Sequence, residues 1–469
     1  MNERMSPGPG PHRHGRAPWR GSAGLTQACW REFWQRKPVE DVIRASKSPL
    51  RWLTRRHLVV ASLAAMIGAG ILDSAPEAVK EHGVRNTVFG LFVAAVAICA
   101  AALCFAELAS TIPVSGSTYT YAYTTFNQAL AWMVGFILLL EYSVGAFVIA
   151  QSWSRSMTGQ QDPPFLLAVV LVLACAGLLA MIEWKGVWGL LTGLVAASVL
   201  VKVGGMIFVS VVGFAKDQSP DGSCTEQPLE LSKVVLAFSL LYFSFIGFDA
   251  PSTAAEDSRY PQRDLARSIF WSLAIVSVLY FGFTMSGGGC GLPRYSWVTG
   301  WSRMLGLPAG VLVFLYGQGR ILRAVIRDGL FGDWLRRKYD EKPAAPQVDE
   351  PKLRWESVVA GVASSALSGL LILAGVYGDR LTKFVNVATG VAFAVVAVGT
   401  MVLRIRRPDL PRTFKAPWLY VAGPIAVAAS VVLIYNTVEI LHIFAVWFGA
   451  GAALYLIVLV TRIAAGPKG

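Results

Sequence analysis

Apolar residues along this chain come in runs of about twenty, the length an α-helix needs to cross the hydrocarbon of a bilayer. Short stretches rich in Lys, Arg, Gly and Pro separate the runs. Spans are expected near 58–79, 88–110, 129–150, 165–183, 187–214 and 232–256. A second set is expected near 266–287, 304–327, 356–377, 381–403, 416–436 and 440–462, about twelve in all. The pattern predicts an all-α integral membrane protein. Residues 1–28, rich in Pro, Gly, Arg and His, read as a disordered basic tail. Residues 29–57 mix aromatic with basic side chains, as a segment lying on the membrane surface would. No signal peptide fits, because the first long apolar run starts only near Leu58.

Composition narrows the class further. Hydrophobic residues make up 54% of the 469, and charged ones 15% against roughly 25% in soluble proteins. Mean hydropathy is +0.52. Soluble enzymes, disordered scaffolds and secreted disulfide domains are excluded together. The net charge of +13 sits between the apolar runs, where membrane topology and anionic lipid explain it better than nucleic acid does. The N-terminal region and the loops at 327–354 and 404–415 are strongly basic, and the alternate loops carry few positive residues. Both termini are therefore expected to be cytoplasmic, with residues 463–469 a short tail. The six cysteines show no metal spacing; Cys224 and Cys290 fall in expected external loops, where they could pair.

Two spans are interrupted. The first reads "ASLAAMIGAGILDSAPEAV", with Gly68, Ala69 and Gly70 in mid-membrane and Pro76 further on; the sixth reads "AFSLLYFSFIGFDAPSTAAED", with Gly247, Asp249 and Pro251. Backbone groups freed by glycine and proline must find partners in hydrocarbon. One such site suggests close helix packing at small residues. Two, in spans one and six, match transporters built from inverted repeats with broken helices around a midplane site. A half-helix N-terminus near Gly68–Gly70 offers N–H groups to a carboxylate, and unwound carbonyls near Ser244–Gly247 offer acceptors to an ammonium. An α-amino acid is the simplest ligand with that pair of poles.

Ionisable residues inside spans are costly and so point to function. Glu141, Lys202 and Asp249 are the best placed, as groups that could exchange a proton or as a structural ion pair. Asp73 lies just beyond the first break, where it could favour cationic substrates or simply face an outer vestibule. No nucleophile–base arrangement and no phosphate-binding glycine pattern is recognisable, so neither an enzyme nor a cofactor is expected.

From Lys37 to Arg462 the sequence resembles the amino acid–polyamine–organocation superfamily, and within it the cationic amino acid transporters and their bacterial relatives. The resemblance rests on "RKPVEDVIRAS", "IGAGIL", "LCFAELASTIPVSGSTYTYAY", "FSFIGFDAPSTAAEDSRYPQRDL", "GQGRILRAVIRDGLF" and "RRPDLPRTFKAPW", in order along the chain. It implies two inverted five-helix repeats, over 58–214 and 232–403, followed by two further helices over 404–462. It implies that Ile67, Gly68, Ala69 and Gly70 hold the substrate carboxylate. Phe243, Ser244, Phe245 and Ile246 would supply carbonyls and gating aromatic surface. Lys202 matches a lysine standing where sodium binds in sodium-coupled cousins, which implies sodium-independent transport by proton coupling, exchange or facilitated diffusion. Glu141 and Asp249 match acidic positions tied to that lysine or to protonation, and Glu107 matches a glutamate with a conformational role.

The resemblance also implies cationic or small neutral amino acids as substrates, and a plasma or cell membrane as the location. Departures from the family pattern are a short connection between spans seven and eight, the lack of an Asn-rich run before Lys202, and Asp73 in a usually apolar place. The short connection is expected to have lost an external helix and the start of span eight. A transport-inactive amino acid sensor or membrane interaction protein of the same fold is the rival reading.

Overall fold

The computed structural model describes residues 30–45, 51–160, 165–215, 227–288, 296–330, 355–373, 375–376 and 378–464. Among them the secondary structure is helical, with an isolated bridge between Leu53 and Ser258. A surface helix α1 (Val39–Ala45) precedes the first span, which is built in two pieces: α2 (Arg55–Met66) and the start of α3 (Ala69–Thr111). Gly83 breaks α3 into two arms with φ of 80°, a region open to glycine and closed to most side chains. Residues 69–82 complete span one, and 84–111 form span two.

The short α4 (Thr118–Thr125) leads to α5 (Gln128–Thr158), α6 (Phe165–Lys185) and α7 (Trp188–Ala215). Span six is again in two pieces, α8 (Leu231–Tyr242) and α9 (Ala250–Thr253), with a 3-10 turn over Phe243–Phe245 between them. Then come α10 (Pro261–Met285), α11 (Ser296–Arg327), α12 (Trp355–Leu373) and α13 (Asp379–Arg406), followed by α14 (Leu419–Tyr435) and α15 (Leu441–Ala464). The order of one broken helix and four whole ones thus runs through twice before the last pair.

Among the described residues nine helices are long and apolar enough to cross a membrane, and Ser357–Leu373 and Leu419–Tyr435 are shorter apolar ones. Large apolar side chains stand exposed on the outer helices: Leu200 and Val211 on α7, Leu373 on α12, Val446 on α15. In water such a surface would drive association, and in a bilayer it meets lipid. Polar and small residues are drawn inward instead, and α5 is the most buried of the long helices.

Two prolines show how the interior is kept satisfied. Pro76 lacks the N–H that would bond the Leu72 carbonyl, and the Arg303 guanidinium donates to that carbonyl instead. Pro308 in α11 likewise frees the Met304 carbonyl, which accepts from Trp153 Nε1 at 3.0 Å. Hence α3 stays helical through Pro76, and the break in span one lies at Ile67–Gly68. The expectation that the start of span eight is lost does not hold. Residues 296–303 are helical, and Arg303 in that turn is held by α3. Cys224, Cys290 and the tail 1–28 lie outside the described residues; Cys99, Cys104 and Cys175 are free thiols.

Candidate functional site

The two breaks face each other in the core. In α3 the Leu72 N–H is the first to bond back, to Gly68 O at 3.2 Å, so Ala69, Gly70 and Ile71 have no carbonyl partner inside the helix. Their aligned N–H groups mark the positive end of a half-helix. Opposite them the chain leaves α8 through Phe243–Phe245, and Ile246 is extended with ψ 133°. The contact is backbone on backbone. A Cβ on Gly70 would lie 2.6 Å from Ser244 Cα, and one on Gly247 would lie 2.5 Å from Ala65 Cβ. Gly247 also has φ of 109°, a second reason for glycine there. All eight residues expected to bind substrate are therefore gathered in one place and buried.

A residue that sequence reasoning missed ties the breaks together. The Tyr280 hydroxyl on α10 lies 2.7 Å from Met66 O and 2.9 Å from Ser244 O, one carbonyl from each interrupted helix. Its ring packs on Phe245, with centroids 5.2 Å apart. A tyrosine inside "VLYFGF" looks like any interfacial aromatic, so nothing in the pattern singles it out.

Lys202 on α7 is fully buried and donates from Nζ to Ala64 O at 2.8 Å, a carbonyl at the C-terminal end of α2. That is the negative end of a half-helix, where a monovalent cation would be stabilised. Its stem lies along α11 at Gly306, where a Cβ would sit 2.2 Å from Lys202 Cγ. Gly306 is a second residue missed by the sequence.

Glu141 and Asp249 share a different spot. Together with Tyr142, Ile246 and Gly247 they line a cavity without room for a water. Thr389 donates to Glu141 Oε1 at 2.7 Å, and Tyr142 donates to Asp249 Oδ2 at 3.1 Å. Glu141 Oε2 has no hydrogen-bond partner among the described residues. The resemblance ties these acids to the lysine or to protonation. In the structure the lysine instead stands on Ala64, and among the described residues it forms no ion pair.

Comparison with known proteins decides what kind of machine this is. The amino acid permease family profile matches residues 57–295. The chain is 32% identical over 472 residues to the branched-chain amino acid permease BcaP of Bacillus subtilis (strain 168), covering 90% of this chain and 97% of that one. This chain belongs to the amino acid permease family. The permease is also 28% identical over 420 residues to the vacuolar cationic amino acid transporter 4 of Arabidopsis thaliana, covering 80% of this chain and 67% of that one. A crystal structure of an Eremococcus coleocola manganese transporter mutant shares the fold at 10% identity, with a TM-score of 0.53 over 91% of this chain and 98% of that one. Both family and relatives are transporters, not enzymes.

In the permease, contacts bridge neighbouring elements at both ends of the bundle, by different means. At the end where the chain starts, Leu53 N–H donates to Asp257 O at 2.9 Å and Arg259 N–H to Leu53 O at 3.0 Å. Asp257, buried, accepts from Arg320 at 2.9 Å and from Tyr316 at 2.7 Å. Arg327 pairs with Glu256 at 2.9 Å, and Asp328 takes Lys37 at 2.6 Å and Tyr119 at 2.8 Å. Glu107 sits at this end too, bound by Arg404, by Arg412 at 3.2 Å and by Ala416 N–H at 2.8 Å. It staples α3 to α13 and to the connection into α14.

At the other end Asp73 lies between two guanidiniums, Arg303 at 3.2 Å and Arg155 at 3.8 Å. Just after α10, Gly288 packs on span one, where a Cβ on it would come within 3.3 Å of Pro76 N. Among the described residues no three metal-ligating side chains gather.

Proposed function

We propose that this protein moves neutral amino acids across a cell membrane without sodium, by alternating access. The observation that carries the reading is the facing pair of interrupted helices, with a lysine ammonium standing on the carbonyl end of one of them. The N–H groups of Ala69–Ile71 suit a carboxylate, and the carbonyls around Ser244 suit an ammonium. Lys202 supplies the positive charge that sodium supplies elsewhere. Glu141 and Asp249 form a separate acidic pocket in which a transported proton can be held.

Neutral side chains are favoured because Asp73, the acid beyond the first break, already faces Arg303 and Arg155. Ile67 and Ile71 at the first break and Phe243, Phe245 and Ile246 at the second are apolar. The basic loops support a reading with both termini cytoplasmic, against anionic lipid.

The test is uptake of labelled leucine, alanine and arginine into sodium-free proteoliposomes, with and without an inward proton gradient. Gradient-stimulated uptake of leucine or alanine above arginine is expected. A sodium requirement would overturn the role given to Lys202, and preference for arginine would overturn the neutral reading. Thermal stabilisation by an amino acid, without uptake under any condition, would make the protein a sensor of the same fold.

A further inference from the structure

We propose that the recess formed by Arg51, Arg259 and Arg263 binds a phosphate-bearing anion that bolts the inner gate shut. The recess has a volume of about 440 Å³ and opens at the end of the bundle where the chain starts. Pro113, Thr413 and Glu256 form part of its lining. The lining thus holds three arginines and one carboxylate, and that carboxylate already binds Arg327 at 2.9 Å.

The neighbouring acids are spoken for. Asp257 is paired with Arg320. Arg263 lies 3.6 Å from Asp264 and over the Tyr260 ring, and remains half exposed. Among the described residues Arg51 and Arg259 have no side-chain partner, and both are exposed. The N-terminus of α10, which begins at Pro261, adds its positive dipole end to the same recess.

Arginine is the side chain whose planar fork matches phosphate oxygens two at a time. The volume exceeds what a bare phosphate needs and falls in the range of small-molecule sites, about 300–1,000 Å³. The occupant is therefore a phosphate carrying a substituent, either the headgroup of an anionic phospholipid or a soluble phosphomonoester.

Position gives the consequence. Arg51 lies on the segment entering α2, whereas Arg259 lies on the segment leaving the second broken helix and Arg263 in the first turn of α10. Between them runs the backbone pairing of Leu53 with Asp257 and Arg259, which must part if the site is to open at this end. An anion held by both sides adds charge-assisted bonds across that seam. The consequence for gating rests on the transporter reading; the binding itself does not.

The test uses the full chain in detergent and in liposomes. Thermal stabilisation is measured with inorganic phosphate, with a nucleoside monophosphate, and with short-chain phosphatidylglycerol against phosphatidylcholine. Variants Arg51→Gln, Arg259→Gln and the pair of them change exposed residues, so folding is retained and checked by the unliganded melting curve. Stabilisation by the phosphate-bearing probes, with affinity falling about tenfold or more in the double variant, supports the site. Response to phosphatidylglycerol alone names a lipid headgroup as occupant, and response to the soluble probes names a phosphomonoester.

No stabilisation by any of them, or stabilisation unchanged in the double variant, overturns the site. In liposomes the bound anion is expected to slow uptake in the wild type and not in the double variant. Binding lost in the variant with uptake equally fast in both, with and without anion, overturns the bolt. Absence of uptake in every preparation instead strikes the transport reading and leaves the binding result standing.

Discussion

Replacing Tyr280 by phenylalanine removes one oxygen atom and leaves the ring against Phe245. That oxygen is the hydrogen-bond partner of two buried carbonyls, Met66 O and Ser244 O, which stand at the ends of helices and take no bond within them. A hydroxyl has a single proton, so it satisfies one carbonyl at a time and keeps the other within reach. Leaving a buried acceptor unpaired costs about 1–3 kcal/mol. The loss falls on the closed arrangement, because opening lets water reach the carbonyls.

At a factor of ten for each 1.4 kcal/mol, the closed state should lose ground by about 5- to 150-fold. The assay is the maleimide labelling rate of a cysteine placed at Ser252, with the other cysteines replaced by alanine. Ser252 is fully buried and donates to Ser117 Oγ at 2.8 Å, so it reports opening at the chain-start end. Labelling about tenfold faster with Phe at 280 than with Tyr, in the same cysteine background, is the expected result. Equal labelling rates, together with unchanged substrate affinity, would refute the view that this hydroxyl holds the breaks together.

Four further outcomes are expected. Lys202→Ala should abolish sodium-free uptake with insertion intact. Gly306→Ala should weaken uptake in the same way, because its methyl group falls on the lysine stem; a normal pH profile and rate in both would remove Lys202 from the mechanism. Asp73→Asn should lower arginine and alanine uptake by equal factors, since its carboxylate already faces Arg303 and Arg155 at the end away from the chain start; a loss confined to arginine would contradict this. Arg320→Ala should cost about 3–5 kcal/mol by stranding buried Asp257, and adding Asp257→Ala should recover part of the loss in the thermal midpoint. Strictly additive losses would mean that the pair acts as two independent sites.

The spans were legible because bilayer thickness imposes one length on every run, and the breaks because glycine and proline announce freed backbone. What the pattern could not place was the partner of each freed group. Pro76 reads as a second interruption, yet α3 continues through it because Arg303, more than two hundred residues away in sequence, takes the Leu72 carbonyl. Lys202, Glu141 and Asp249 stand out as charges in apolar runs. That the lysine stands on α2 while the acids share a separate cavity depends on how α5, α7 and the second break pack. Tyr280 and Gly306 carry no signal in sequence. Their roles come from what lies beside them.

The two ends share a design that neither shows alone. Both broken helices bring the acids: Asp73 on the first, and Glu256 and Asp257 just after the second. One helix, α11, brings cations to both ends, with Arg303 near its start and Arg320 and Arg327 toward its finish. An ion pair strengthens as the local dielectric falls and weakens as water enters. Where the pair is buried, as Asp257 with Arg320 is, it resists separation. At an end that has begun to open, water solvates both charges, so the barrier to further opening falls away. Pairs of this kind therefore favour either fully shut or fully open at each end, and α11 can serve as the fixed post against which both broken helices swing. Tightening at one end need not be traded against slack at the other through the whole fold, because the same helix carries the counter-charges for both.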